Sequence, residues 1–378
     1  MKPFSRCRFG LYGWLFLVLA SCAHSSSPMN YPFPTTTAFS QPELTKRFGV
    51  VTVEQDPDPA IHYKLIVPLQ WGQVSGTRRL VTPEHPFELR SHFKALSTPS
   101  AEAKVTVAYV PEEVSPSDWL ALYLEGQKEQ VLHERHLPSA GGATPDVLTI
   151  GGEAGHECVS RWTVLKDHAK IGGAHFFMLQ VSTAAHDYTT DMANVFFVAI
   201  SNFDVLHPTG WAYAEQLRTL VRGLPVKFTT AYPLSWQPME NPASNEHFYQ
   251  VKLVKNIGNQ QAGQLSLALT TGQTEADMHR VEDEDRTALA NEGLVFEPTR
   301  FGEGPSLPGL RKTYAATMRQ TTTAPTQPEH ERTVFLGHIG GQSWVYADCL
   351  SLTRHNAPEQ WSVSTRALAI LLEHLKIG

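Results

Sequence analysis

Short runs of apolar residues recur along this chain of 378 residues, and most of them have the length and alternation of β-strands. Polar segments and segments with Gly or Pro separate the runs, as expected of antiparallel neighbours joined by turns. Two helices are predicted in the first half, one capped by Ser115 ahead of Trp119 and one over the periodic apolar positions from Trp211 to Leu224. The strands predicted there are Tyr63–Val67, Phe87–Phe93, Lys104–Val110, Cys158–Leu165, His175–Ser182 and Val195–Phe203.

The second half repeats this order of elements. A polar helix is predicted from Glu275 to Asn291, and a closing amphipathic helix begins at Trp361. A hairpin tip rich in Thr and Pro runs from Gln320 to Pro328. The strands predicted in this half are Val226–Ala231, Tyr249–Val254, Leu265–Thr270, Leu310–Met318, Thr333–Ile339 and Ser343–Leu352.

A short motif marks the two halves as copies of each other. Pro-Leu-x-Trp occurs at residues 68–71 and again at 233–236, each time directly after a predicted strand. Trp211 and Trp361 open the two closing helices in the same order. The pattern predicts an internal repeat of one α+β unit, with a first domain at residues 60–224 and a second at 225–378. We interpret the repeated tryptophans as core anchors, with ligand platforms as the alternative.

This order of elements resembles a known fold. A strand that ends in Pro-x-x-Trp, further strands, a helix, three more strands and a terminal helix that begins with Trp are similar to the Mog1/PsbP-like fold. That superfamily includes the photosystem extrinsic protein and the bacterial DcrB-like lipoproteins. The resemblance covers most of residues 60–378 and implies, twice, an antiparallel β-sheet flanked by helices. Known members mainly bind, stabilise or deliver other proteins, so the resemblance implies a non-catalytic role and assigns no functional residue.

Residues 1–21 have the anatomy of a secretory leader. Three basic residues precede an apolar run at Leu11–Ala20, which is too short to span a bilayer comfortably. The leader then ends in Leu-Ala-Ser-Cys at 19–22, which resembles the lipobox of bacterial lipoproteins and predicts that Cys22 carries the lipid. Because Ala23 rather than Asp follows, we expect an outer-membrane lipoprotein that faces the periplasm. The alternative is an ordinary secretory cleavage near Ala20.

Residues 22–59 are rich in Ser, Thr, Pro and Asn, a composition that predicts a flexible tether. One interruption, Gly49–Val53, has the character of a short strand. The formal net charge is −6 and basic clusters are lacking, which argues against nucleic acid as a partner. Among the mature cysteines beyond Cys22, Cys158 and Cys349 are interpreted as buried thiols, with a disulfide between the units as the alternative.

Candidate chemistry is sparse. His-Glu-Arg-His at 133–136, with His156-Glu157 further on, lacks the spacing of a zinc-protease helix, and neither a metal nor a cofactor is predicted. Gly72–Gly76 is not a nucleophile elbow, so a hydrolase would need a Ser/His/Asp set that assembles only in space. The acidic run Asp277–Asp285 is interpreted as the solvated face of a helix, with a patch for a basic partner or a divalent cation as the alternative.

Together these features predict a lipid-anchored, periplasm-facing scaffold or binding protein without catalytic residues. Its expected partners are the membrane, through the lipid, and another envelope protein. An envelope hydrolase and a carrier of a small ligand or metal are the alternatives.

Overall fold

The computed structural model describes residues 30–378 except 55, 57, 77, 78, 80, 139–142, 258, 259 and 322–327. The predicted leader, Cys22 and most of the hairpin tip lie outside the described residues. The helices are α1 (Gln41–Arg47), α2 (Pro116–Gly126), α3 (Thr190–Ser201), α4 (Glu275–Asn291) and α5 (Pro358–Glu373). Short 3-10 turns lie at Pro59–Ile61 and Ala185–Asp187.

The strands of the described residues fall into two series of ten strands each. The first series is β1 (Phe48–Val53), β2 (Tyr63–Pro68), β3 (Trp71–Ser75), β4 (Phe87–Ala95), β5 (Ala101–Val110), β6 (Gln130–Leu137), β7 (Thr144–Gly151), β8 (Cys158–His168), β9 (Ala174–Ala184) and β10 (Asp204–Val205). The second is β11 (Leu217–Arg222), β12 (Phe228–Pro233), β13 (Gln237–Glu240), β14 (Phe248–Ile257), β15 (Gln260–Thr270), β16 (Gly302–Glu303), β17 (Lys312–Arg319), β18 (His330–Gly340), β19 (Ser343–Leu352) and β20 (Lys376–Ile377).

The sheet topology is the same in both halves. One large sheet has the order β3-β4-β5-β9-β8-β7-β6, and the other has β13-β14-β15-β19-β18-β17-β16. Two small sheets, β1-β2-β10 and β11-β12-β20, stand beside them. Helices α2 and α4 occupy corresponding places in the chain, as do α3 and α5. The predicted α+β class, with two tandem repeats of an antiparallel sheet flanked by helices, is confirmed.

The Pro-Leu-x-Trp motif is the tight turn between the small and the large sheet of each repeat. Trp71 and Trp236, which follow this turn, are 8% and 1% exposed. The leucine at the tip of the turn faces solvent, since Leu69 is 64% and Leu234 is 41% exposed. The interpretation of these two tryptophans as core anchors is confirmed.

Two predictions at the end of the first repeat are wrong. The segment Leu217–Arg222 is not helical, because as β11 it pairs antiparallel with β12. Trp211 therefore opens no helix, and its side chain is 39% exposed rather than a core anchor. The small sheet of the second repeat therefore includes β11, which follows β10 of the first small sheet in the chain.

The helix that closes the first repeat is α3, where a strand was predicted at Val195–Phe203. Thr189 caps it, because its hydroxyl accepts a hydrogen bond from the Met192 N–H. The run from Val195 to Ile200 is apolar on nearly all sides because α3 is buried between β2 and the large sheet. A short buried helix and a buried strand look alike in such a run, so periodicity alone could not separate them.

Much of the predicted tether is folded. A capping box between Ser40 and Glu43 starts α1, and β1 pairs with β2 along its whole length, which confirms the short strand predicted at 49–53. Tyr31 and Phe48 are buried in the first core. These aromatic side chains supply the apolar area that the Ser- and Pro-rich composition of the segment concealed.

Three apolar clusters hold the layers together. One lies between the first large sheet and the layer of α3 with its small sheet, and another lies between α4 and the second large sheet. The third joins the repeats, because it combines the α2 face of the first sheet with the α5 face of the second. Helices α2 and α5 contact each other there. No helix in the described ranges is long and apolar enough to cross a bilayer.

Candidate functional site

A buried carboxylate lies where the two repeats meet. Glu113, just before α2, accepts hydrogen bonds from Lys166 of β8 at 2.6 Å and from Arg366 of α5 at 3.1 Å. All three side chains are 2% exposed. The Ala214 N–H donates to the other carboxylate oxygen. Burial lowers the pKa of Lys166 to about 8, and the neighbouring Glu113 opposes that shift.

Further polar contacts cross the same boundary. Lys255 of the second repeat pairs with Glu112 at 2.7 Å, and Arg354 pairs with Glu125 of α2 at 3.1 Å. Tyr213 and the His374 ring nitrogen Nε2 lie 2.8 Å apart. With the shared apolar cluster, these contacts join the two repeats.

The first repeat carries a pocket of about 900 Å³, which we call the α3 pocket. It lies between the N-terminus of α3, the β2–β3 turn and the end of α1. Arg47 and Asp191 form a two-pronged ion pair across it, at 3.0 and 2.7 Å. Its cationic and anionic groups are balanced, since Lys46 and Arg47 face Asp187 and Asp191. The apolar part of its lining includes Phe48, Leu69, Trp71, Pro99, Met192 and Val195.

The second repeat carries a pocket of about 780 Å³, which we call the α4 groove. Strands β14, β15 and β19 form its floor and α4 forms one wall. The lining of floor and wall includes Phe248, Gln250, Ala268, Met278, Val281 and Tyr346. Asp285, Arg280 and Glu246 stand at the opening, where all three are exposed.

A buried ionic cluster lies directly beneath the α4 groove. Arg332 of β18 donates to Glu282 of α4 at 2.9 Å, to Asp348 of β19, and to the Tyr346 hydroxyl at 2.7 Å. The Arg332 side chain is 1% exposed. Burial raises the pKa of Asp348 and of Tyr346. Tyr346 therefore connects the groove with a charged cluster that solvent does not reach.

The acidic run of α4 only partly fits its interpretation as a solvated face. Asp283, Glu284 and Asp285 are exposed, as predicted, and Asp277 is half-buried. Glu282, by contrast, is 1% exposed and pairs with Arg332. The helical period offered one signal for this, because Met278 and Glu282 lie four positions apart and both are the buried residues of α4.

The histidine candidates do not converge. His133 and His136 lie on β6 rather than on a helix, and positions three apart on a strand face opposite sides. His133 stacks on Phe33 with ring centroids 5.4 Å apart, whereas His136 contacts Ser117 at 3.0 Å. Throughout the described residues, no three His, Cys, Asp or Glu side chains are grouped as a metal site would require.

One Ser/His/carboxylate row does assemble in space, and sequence reasoning missed it. The Ser75 hydroxyl lies 3.2 Å from Nδ1 of His92, and Nε2 of His92 lies 2.8 Å from the Glu102 carboxylate. The three residues sit side by side on β3, β4 and β5. Lys104 also pairs with Glu102. The row lies on an open sheet face, and neither the α3 pocket nor the α4 groove includes it.

The two cysteines of the folded part differ in their surroundings, and both are free thiols. Cys349 is buried in the cluster between the repeats, as predicted. Cys158, at the start of β8, is exposed, so its interpretation as a buried thiol is wrong. It is exposed because it is the first residue of β8 and lies close to the turn at residues 152–156.

No protein-family model and no curated protein matches this chain. Solved structures that are similar to it include PsbP (CyanoP) from the cyanobacterium Synechocystis sp. PCC 6803. The similarity covers 46% of this chain and 99% of that chain, with 12% identity and a TM-score of 0.30. The Tle4–Tli4 complex is similar over 81% of this chain and 93% of that one, with 12% identity and a TM-score of 0.22. The immunity protein TplEi of T6SS from Pseudomonas aeruginosa is also similar over 81% of this chain and 93% of that chain, with 10% identity and a TM-score of 0.21.

Proposed function

We propose that this protein is a lipid-anchored, non-catalytic binding protein of the bacterial envelope that faces the periplasm and acts through protein–protein contacts. The observation that carries the proposal is the union of two sheet-and-helix repeats across the buried Glu113–Arg366 pair, with the open α3 pocket on the first repeat and the open α4 groove on the second. Two contact sites on one body gain effective concentration, because the second contact forms within a complex that already exists.

The exposed apolar residues support a protein partner. Leu69 and Leu96 are 64% and 76% exposed, and both belong to turns at the end of the first large sheet where the α3 pocket opens. Clusters of exposed apolar side chains on a folded surface commonly mark contact sites. The membrane anchor rests on the leader sequence and on the Leu-Ala-Ser-Cys motif that ends at Cys22.

The deciding experiment is crosslinking in living cells, followed by affinity capture and mass spectrometry. The wild-type protein is compared with a Cys22→Ser variant that retains the leader but lacks the lipid site. We expect labelled palmitate in the wild type only, and one or two stoichiometric envelope proteins that are crosslinked to it. An absence of label on Cys22 would overturn the anchor. Clean capture of the anchored protein without any partner would overturn the binding role.

A hydrolase is the second candidate, because the Ser75–His92–Glu102 row has the connectivity of a nucleophile, a base and an orienting carboxylate. Such a site also needs hydrogen-bond donors aimed at the developing oxyanion, in a place that excludes water. Ser75 is exposed on its strand, so its surroundings do not exclude water. Turnover of activated esters that disappears in a Ser75→Ala variant would favour this candidate over the binding protein.

A further inference from the structure

The α4 groove combines an apolar lining with an excess of negative charge. Phe248, Ala268, Met278 and Val281 give it apolar walls and an apolar floor. Beneath the floor, Arg332 pairs with the carboxylates of Glu282 and Asp348, and the lining itself carries Glu246 and Asp285 against Arg280. Glu282 and Asp285 are close enough to Asp348 to raise its pKa.

The cations of α4, including Arg280 at the opening of the groove, do not offset this excess. Arg280 is engaged by Asp277 and Glu284, and Arg286 is engaged by Asp283, so each of these cations already has an acidic neighbour on the helix. The groove therefore presents a field that attracts positive charge over an apolar surface. The α3 pocket differs, because its lysine and arginine are matched by two aspartates.

We propose that the α4 groove binds a cationic, partly apolar segment of a partner protein. An apolar side chain of that segment packs on Phe248 and Met278, while a lysine or arginine beside it reaches Asp285 and the Tyr346 hydroxyl. Charge complementarity selects this occupant, since an acidic segment would be repelled by the same carboxylates. The inference deepens the proposed binding function and rests on it for the partner's class.

The shape of the groove suits such a segment. Its volume of about 780 Å³ lies in the range of cavities that enclose a few side chains. Asp285 is exposed at the opening and hydrogen-bonds Tyr346 from there, so an incoming cation can reach the carboxylate from solvent. Tyr346 is 3% exposed at the floor, where it extends the cluster of Arg332 toward the groove.

The test uses the soluble protein without its leader and with Cys22→Ser, together with a short fluorescent peptide of alternating lysine and leucine. Matched peptides carry glutamate in place of lysine, or serine in place of leucine. We expect fluorescence anisotropy to show binding of the lysine–leucine peptide alone, weakened by added salt. Asp285→Asn should weaken this binding on the order of five-fold, as expected for an exposed charge pair.

Asp283→Asn is the matched control, because it removes the same charge from the same helix outside the groove. We expect it to leave the affinity within about two-fold of wild type, in line with its screening by solvent. Val281→Trp fills the groove and should abolish binding while thermal unfolding stays cooperative. Equal effects of Asp285→Asn and Asp283→Asn, or full binding by a folded Val281→Trp protein, would overturn the proposal.

This outcome is separable from that of the proposed function. If Val281→Trp still captures its envelope partner in cells, the protein is a binding protein that uses another surface. If the lysine–leucine peptide binds in the groove but no partner is captured in cells, the groove has the proposed chemistry and the cellular role is wrong.

Discussion

The carboxylate of Glu113 in the first repeat and the guanidinium of Arg366 in the second lie 3.1 Å apart, although 253 positions separate them in the chain. Lys166 shares the same carboxylate from the side of the first repeat. This carboxylate compensates two buried positive charges. If it is removed, water cannot replace it there, and the boundary between the repeats is destabilised.

Glu113→Ala should therefore lower the free energy of unfolding by about 3–5 kcal/mol, since it leaves Lys166 buried without its paired carboxylate and Arg366 paired with Glu373 alone. Urea unfolding followed by tryptophan fluorescence measures the change. The control is Glu125→Ala, whose pair with Arg354 also crosses the boundary but is 62% and 38% exposed, and which should cost at most about 1 kcal/mol.

If Glu113→Ala does not fold, Glu113→Gln gives the same comparison with a side chain of nearly the same shape. A loss for either Glu113 variant that is no larger than that of Glu125→Ala would contradict the role of the buried pair.

The motif tryptophans should be far more sensitive than Trp211. Truncation of Trp236, which is 1% exposed, or of Trp71, which is 8% exposed, should cost about 3–5 kcal/mol through lost burial and a cavity. Trp211→Ala, at a site 39% exposed, should stay within about 1 kcal/mol of wild type. Chemical denaturation of the three variants tests the ranking, and a Trp211 loss as large as the Trp236 loss would refute it.

Some elements of the fold could be predicted from the sequence and others could not. The internal repeat and the bounds of α4 followed from local signals, because the repeated motif is a turn and Thr274 with Asp277 forms a capping box. The strands β6 and β7 were missed, although they complete the first large sheet. In β6, charged residues such as Glu134 and Arg135 obscure the apolar alternation that marks a strand.

The candidate sites were less accessible to sequence reasoning than the fold. The cluster around Arg332 gathers Glu282, Tyr346 and Asp348 from three elements, and only the pairing of β18 with β19 and the placement of α4 bring them together. Likewise, no local signal near Glu113 predicts that its partner lies in the middle of a helix 253 positions later. Such contacts depend on tertiary packing, which could not be inferred from the single sequence.

His175 should make the protein acid-sensitive. It is 3% exposed, and burial lowers its pKa below the ordinary value of the imidazole. The unfolded chain therefore takes up this proton first, at about pH 6.5, so stability falls as the pH drops through that value toward the lower pKa of the folded state. His175→Phe keeps a ring against Tyr109 and Phe177 and removes the titration.

Unfolding free energies at neutral pH and at about pH 5 test this expectation for wild type and His175→Phe. We expect the wild type to lose more stability than the variant over that interval. Equal losses would show that the imidazole of His175 does not account for the acid sensitivity.

The two free cysteines should differ sharply in reactivity. Cys158 is exposed, whereas Cys349 is buried, its thiol faces the Ser364 carbonyl at 3.8 Å, and burial raises the pKa of the thiol. Because the thiolate is the reactive form, Cys349 lacks both access and ionisation in the folded state. In the Cys22→Ser protein without its leader, a maleimide should label Cys158 rapidly and Cys349 only after urea is added.

Mass spectrometry of the labelled peptides resolves the two sites, and Cys158→Ser serves as the control that should take up no label while folded. A disulfide-linked peptide that joins Cys158 to Cys349 would contradict the assignment of both residues as free thiols. Rapid labelling of Cys349 in the folded protein would mean that the cluster between the repeats opens, and with it the boundary that Glu113 and Arg366 hold closed.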